Sequence, residues 1–117
     1  MEVDKETLKG HIEFIILSLL SLKDMYGYEI AKMVREISHD QFELKEGTLY
    51  LGLKRFEKNR LIESYWGEDQ GQGGRRKYYK ILPLGREHFE RKKAEWTFIR
   101  NLIDLFVERG ERKNAKD

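Results

Sequence analysis

Apolar positions crowd the start of the chain. Leu8, Ile12, Phe14, Ile15, Ile16, Leu17, Leu19 and Leu20 leave almost no polar side between residues 7 and 22. The density predicts a helix. A surface helix shows one apolar stripe, so one that is apolar nearly all round must be covered on two sides. Its own domain covers one side, and a partner chain is expected on the other. Residues 23–25 then read as a turn. Ile30, Met33, Val34 and Ile37 recur at helical spacing and predict a second helix over 27–38, with Tyr28 and Lys32 pointing outward near its start. His39-Asp40-Gln41 ends it, and Phe42 and Leu44 read as a short extended pair. In a third helix, starting near Glu46, Leu49, Leu53 and Phe56 share one face. Leu51, Lys54, Arg55 and Lys58 lie opposite, and Thr48 and Tyr50 flank the stripe. Gly52 in mid-helix costs about 1 kcal/mol against alanine, so a close approach is expected there, by another helix or by a ligand.

The period then changes. Residues 61–66 and 78–82 are rich in β-branched and aromatic residues and predict two strands. The loop between them holds four glycines, Gly67, Gly71, Gly73 and Gly74, and is too long for a two-residue turn. Arg75-Arg76-Lys77 places cations at its base, where a phosphate or a narrow minor groove would lie. Glu68 and Asp69 oppose that reading, because acids at the tip are repelled by DNA.

Pro83 opens the last element, where a first helical turn tolerates it. One long helix is predicted, ending near Arg109. Phe89, Trp96, Ile99, Ile103 and Phe106 form one stripe; Phe98, Leu102 and Leu105 form a second. Two stripes predict two partners, the chain's own body and another subunit. Lys92 interrupts the first stripe and argues against a long coiled coil. The charged tail is expected to fray. The expected organisation is a winged helix-turn-helix domain over 1–82, a dimerisation helix over 83–110 and a tail over 111–117. The fold class is mainly α with a small β-hairpin. Ile12, Ile15, Ile16, Phe89, Trp96, Ile99, Ile103 and Phe106 are the expected dimer contacts.

Composition adds limits. A chain of 117 residues makes one small domain whose limited core would gain from association. There is no cysteine, which excludes disulfides and thiolate zinc sites and suits a reducing cytoplasm. The acidic, polar first residues are unlike a signal peptide, and the apolar run 14–20 is too short to span a bilayer. The formal net charge is only +2, so overall basicity does not argue for nucleic acid; the placement of the cations must. His11, His39 and His88 stand singly and form no metal-ligand spacing. No nucleophile elbow or phosphate-binding loop is present, and Gly71-Gln72-Gly73-Gly74 lacks the strand-then-helix context of a nucleotide loop. No metal, no cofactor and no enzymatic activity are expected.

A helix followed directly by a basic hairpin fits duplex DNA. The helix enters the major groove, and the hairpin reaches the backbone or the minor groove. Thr48, Tyr50, Lys54 and Arg55 are the helix candidates. Gly74, Arg75, Arg76 and Lys77 are those of the hairpin, with Tyr28 and Lys32 on the backbone-crossing helix. Exposed cations alone fit an ordinary solvated helix face better.

The motifs Gly47-Thr48-Leu49-Tyr50, Leu53-Lys54-Arg55-Phe56-Glu57, Leu61-Ile62 and Gly73-Gly74-Arg75-Arg76-Lys77-Tyr78-Tyr79, with Leu82 and Gly85 behind, together resemble the PadR family of transcriptional regulators. Tyr26-Gly27-Tyr28-Glu29-Ile30 matches the start of that family's second helix. The resemblance runs from about Leu8 to Phe106, and the length fits the short branch with a single C-terminal helix. It implies a dimeric regulator bound to a pseudo-palindromic operator, a repressor of its own or a neighbouring promoter, multidrug efflux among the candidates. The family usually carries proline just after the Tyr50 position; here Leu51 stands there. Ser64-Tyr65-Trp66-Gly67 and Trp96 further resemble a multidrug-responsive repressor of that branch, whose matching tryptophan lines a pore between subunits. That resemblance implies a planar, often cationic aromatic ligand at Trp96, near Gly10, Glu13, Phe14, Ile99, Arg100 and Ile103. Glu13 would attract a cation, Arg100 would oppose one, and Phe14 is bulky enough to fill the pore. Without the resemblance, a tryptophan on an apolar stripe is packing. The competing class is a winged-helix module that binds a protein or a small molecule and no longer reads DNA.

Overall fold

The computed structural model describes residues 1–68 and 74–116, with 113–116 described by their backbone alone. Helix α1 spans Lys5–Leu22. It starts ahead of the predicted residue 7 because the Asp4 carboxylate accepts the Thr7 backbone N–H at 3.3 Å, supplying an N-cap. Its second half is the spine of the core: Ile16, Leu17, Leu19 and Leu20 are buried, and Ile12 and Ile15 pack against that core from its edge. Ile16 is therefore not a dimer contact. With no exposed surface it is enclosed by its own chain.

Strand β1, Met25–Tyr26, begins at the last residue of the turn predicted over 23–25. Two residues carry no periodic signal, and β1 exists only through pairing with a strand distant in sequence. Helix α2, Gly27–Ile37, follows at once. After its Ser38 cap, His39 and Asp40 adopt left-handed backbone, φ 53° and 61°. The Ser38 hydroxyl accepts the Phe42 N–H at 3.2 Å and steadies the return. Phe42 and Leu44 are not a strand pair. They anchor the connecting segment, Leu44 buried in the core and Phe42 packed against it.

Helix α3, Glu46–Lys58, buries Leu49, Gly52, Leu53 and Phe56. The close approach at Gly52 comes from α1: a Cβ there would stand 3.3 Å from the Ile16 Cδ1. Arg60, with φ 59°, turns the chain into β2, Ile62–Trp66, which pairs with β3, Lys77–Ile81. The sheet is antiparallel in the order β1-β3-β2, with Ile62 opposite Ile81, Tyr65 opposite Tyr78 and Tyr26 opposite Tyr78. The period of two puts Met25, Ile62, Tyr79 and Ile81 on the buried face. Tyr26, Tyr65 and Tyr78 lie on the other.

Helix α4, Pro83–Lys116, runs past the predicted end at Arg109 and through the expected tail. Its first turn is seated by Gly85, where a Cβ would come within 2.0 Å of the Leu61 carbonyl oxygen. Phe89 packs against the core, but farther along α4 leaves the body of the chain. At 1.5 Å per residue its 34 residues extend about 50 Å. The molecule measures 66 × 29 × 22 Å, and its radius of gyration, 17.8 Å, exceeds the roughly 13 Å of a compact chain of this length. Both predicted stripes, Ile99, Ile103 and Phe106 on one side and Phe98, Leu102 and Leu105 on the other, are exposed.

Candidate nucleic-acid interface

The outward side of α3 carries Thr48, Tyr50, Lys54 and Lys58, all exposed. Thr48 also lines a groove along α1, described below. Tyr50 reaches back to α2: a Cβ added at Gly27 would meet its hydroxyl at 2.2 Å. That glycine lets the phenol lie over the first turn of α2. Tyr28, one residue on, is exposed and stacks on Tyr26 at 6.4 Å. Lys32 is exposed, with its ammonium 3.9 Å from Glu36, a contact too open and solvated to hold it.

The hairpin β2–β3, the wing, meets the same place from the other side. Gly74 has φ 77°, left-handed backbone that favours glycine at the wing's return. Arg75 is exposed, and the Arg76 guanidinium lies 4.7 Å above the Tyr26 ring. Lys77 lies 5.9 Å from the Tyr79 ring centroid. Tyr50 on α3 thus packs over buried Gly27 at the start of α2, and the preceding residue, Tyr26, carries Arg76 of the wing. Glu68 is exposed near the tip; Asp69, Gly71 and Gly73 lie outside the described residues.

Arg55 does not join these residues. Its guanidinium donates to the Glu13 carboxylate, which turns it toward α1. Leu51 and Arg55, which helical spacing groups with Lys54, instead line a groove of about 500 Å³ with Thr48, Leu8, Ile12 and Phe42. Both stay exposed, opposite the buried stripe, but the first half of α1 flanks this side of α3, a neighbour that the helical wheel does not show.

Sequence reasoning missed Tyr26, Tyr65 and Asp24. Tyr26 ends strand β1, which the sequence pattern does not predict, and Asp24 lies in the predicted turn just before it. The Tyr65 hydroxyl donates to Asp24 at 2.5 Å, and this hydrogen bond is the main cause of a phenol pKa pushed up to about 12, burial and the carboxylate's charge adding to it. The Tyr79 phenol is also raised, by burial on the inner face. Lys23 pairs with Glu29 at 2.9 Å, and that hydrogen bond raises its pKa.

The residues expected around a ligand are only partly assembled. Phe14 lies 6.4 Å from Trp96 and 5.7 Å from Phe89, filling one side of the indole. The Arg100 guanidinium lies 4.9 Å over the Trp96 ring. Glu13 is engaged by Arg55 and is not offered to a cation. Ile99 and Ile103 are exposed, and Gly10, also exposed, borders only a small cavity. The cavity nearest Phe14, bounded also by Gly10, Glu13 and His88, holds about 50 Å³, far below the few hundred that a planar drug occupies. Among the described residues no group of three side chains could hold a metal ion, and no helix is long and apolar enough to cross a membrane.

The profile of the transcriptional regulator PadR-like family matches residues 16–91. The fold is similar to that of a transcriptional regulator from Clostridium thermocellum, with 40% identity, a TM-score of 0.79, and coverage of 91% of this chain and 99% of that one. A PadR family transcription regulator from Clostridium difficile is 50% identical, with a TM-score of 0.73 over 83% of this chain and 98% of its own. An uncharacterized protein of Lysinibacillus sphaericus is 42% identical over 106 residues, 91% of this chain and 96% of that protein.

Proposed function

The chain belongs to the transcriptional regulator PadR-like family, whose members regulate transcription rather than catalyse reactions, and from that premise we propose that it is a homodimeric repressor of its own or a neighbouring promoter. The observation that carries the DNA-reading part is that Tyr50 of α3 and Arg76 of the wing meet neighbouring residues, Gly27 and Tyr26, at the start of α2. In this reading Thr48, Tyr50 and Lys54 face the major groove. Tyr28 and Lys32 meet the backbone, and Gly74, Arg75, Arg76 and Lys77 meet an adjacent backbone or minor groove. Arg55 drops out, because its charge is spent on Glu13.

Residues 1–82 form the DNA-reading domain, 83–110 the dimerisation helix and 111–117 its tail. The uncovered apolar residues of α4 support the dimer, since monomers rarely leave such a run in water. Two-fold symmetry then calls for a pseudo-palindromic operator with half-sites about one helical turn, or a multiple of it, apart.

The test is fluorescence anisotropy of a labelled duplex from upstream of the coding sequence, titrated at several salt concentrations beside a scrambled duplex. Tight, sequence-preferring binding that weakens steeply with salt is expected. Lys54→Ala and Arg76→Ala should each weaken binding by roughly five- to thirtyfold, as for losing one charged contact of about 1–2 kcal/mol, and leave the dimer intact. Unchanged affinity in both would sink the site assignment. Equal, weak and salt-insensitive binding to both duplexes would favour the non-DNA module.

A planar aromatic effector at Trp96 is the second reading. The Phe14–Trp96 contact supports it, and in a dimer a second subunit would supply the wall that the single chain lacks. Arg100 over the indole and the engagement of Glu13 favour a neutral or anionic compound over a cation. Release of the labelled duplex by such a compound, lost in Trp96→Ala, would support it; release that persists in the variant would place the effector elsewhere.

A further inference from the structure

The wing is tied down at its root. Strand β1 ends at Tyr26, opposite Tyr78 of β3, and from there toward the tip β3 runs beside β2. Tyr65 of β2 stands at that root, paired with the same Tyr78. Its ring stacks on the Tyr78 ring, with centroids 5.7 Å apart and planes at 16°, which carries the phenol over β3. On the far side the Tyr65 hydroxyl donates to the Asp24 carboxylate at 2.5 Å. One side chain therefore spans the sheet, from the edge strand β2, over the middle strand, to the residue that precedes the other edge strand.

Asp24 is itself well placed as an anchor. The residue after it opens β1, and Lys23 before it pairs with Glu29, in the first turn of α2, at 2.9 Å. A phenol on a carboxylate makes a charge-assisted bond, and 2.5 Å is the short end of its range. That bond is the main reason the phenol pKa is pushed up to about 12, so the donor proton stays in place at neutral pH. A loose hairpin must give up conformational freedom when it settles on DNA. One already tied to the body has lost that freedom on folding and binds without that cost.

We propose that Tyr65 and Asp24 are positioning residues for DNA binding: their hydrogen bond ties the root of the wing to the segment leading into α2, and so presents wing and helix to DNA at one fixed angle. The role rests on the DNA-reading function proposed above. Neither side chain touches DNA in it.

Phosphate contacts are independent of sequence, so a generic labelled duplex at low salt serves as probe. Tyr65→Phe removes one hydroxyl and leaves the ring stack. It should weaken binding about two- to tenfold, the share of one hydrogen bond. Asp24→Asn and Asp24→Ala remove the same charge, but only asparagine keeps an oxygen that accepts the phenol proton. Asp24→Asn should bind at least as tightly as the wild type, and Asp24→Ala about two- to tenfold more weakly than Asp24→Asn. Tyr65→Phe should cost affinity again in the Asp24→Asn background and nothing further in the Asp24→Ala background. Unfolding midpoints accompany each measurement, because a bond that only stabilised the fold would lower the midpoint and leave the affinity of the folded protein unchanged. If Asp24→Ala does not fold, Tyr65→Phe in the wild-type and Asp24→Asn backgrounds carries the test. Unchanged affinity in Tyr65→Phe, equal binding by Asp24→Asn and Asp24→Ala, or a further loss when Tyr65→Phe is added to Asp24→Ala would each overturn the positioning role alone. Wild-type protein without salt-sensitive binding would overturn the DNA reading and this role with it.

Discussion

Gly85 shows how much one position decides. Its α-carbon faces the Leu61 carbonyl, and backbone cannot move aside as a side-chain tip can. The first turn of α4 is pressed against the entry of β2 there, and the Leu82 N–H bonds the same carbonyl at 2.9 Å. Gly85→Ala is expected to destabilise the fold by about 1–3 kcal/mol, the range for forcing a methyl group into a filled site. Urea unfolding measures it; an unchanged midpoint would mean that α4 shifts freely. Gly27 differs, since the atom nearest an added Cβ is the end of the Tyr50 side chain. The residue type at 85 was visible in the chain, but its cause was not: the carbonyl it makes room for belongs to a residue on another element. Arg55 teaches the same point in reverse. Its charge and helical face were legible, and its carboxylate partner on α1 was not.

Among the elements, α1 and α4 divide the apolar residues between two uses. Along α1 the second half is consumed by the protomer's own core, Ile16 included. Along α4 only the start is consumed, through Gly85 and Phe89, and the apolar residues from Phe98 onward face water. Ile103→Glu together with Phe106→Glu should therefore leave the helical spectrum and the folded body in place while abolishing association, because neither side chain supports the protomer. Sedimentation equilibrium checks this; a dimer of unchanged strength would move the interface off this stripe and toward Phe98, Leu102 and Leu105. The helices were legible because three or more turns of 3.6-residue repetition outweigh local accident. β1 was not, since a strand of two residues is defined by its partner β3 and by nothing in its own pattern.

At the scale of the molecule, shape carries the information. A body with a long projecting helix buries less surface than a compact chain of equal length. If two copies complete each other, stability depends on concentration by mass action. The thermal midpoint is expected to rise steadily with protein concentration over the micromolar range, and scanning calorimetry at several concentrations tests this. A midpoint independent of concentration would mean a protomer stable alone, its α4 face covered by something else. Charge has little part in this, because a net +2 spread over such a surface is no long-range field. What DNA would meet is local: Lys54 on α3 and the Arg75-Arg76-Lys77 run on the wing.

By itself, the sequence determined the four helices, the two strands of the wing and the family, because apolar periodicity and ordered short motifs are local properties read along the chain. It also determined the cations of α3 and the wing. Tertiary structure alone decided which of these stand together. It paired Arg55 with Glu13 on α1, closed Ile16 into the core, paired β1 with β3 and set Arg76 on Tyr26. Each of those outcomes is a contact between residues far apart in the chain, and such contacts exist only once the chain has folded back on itself.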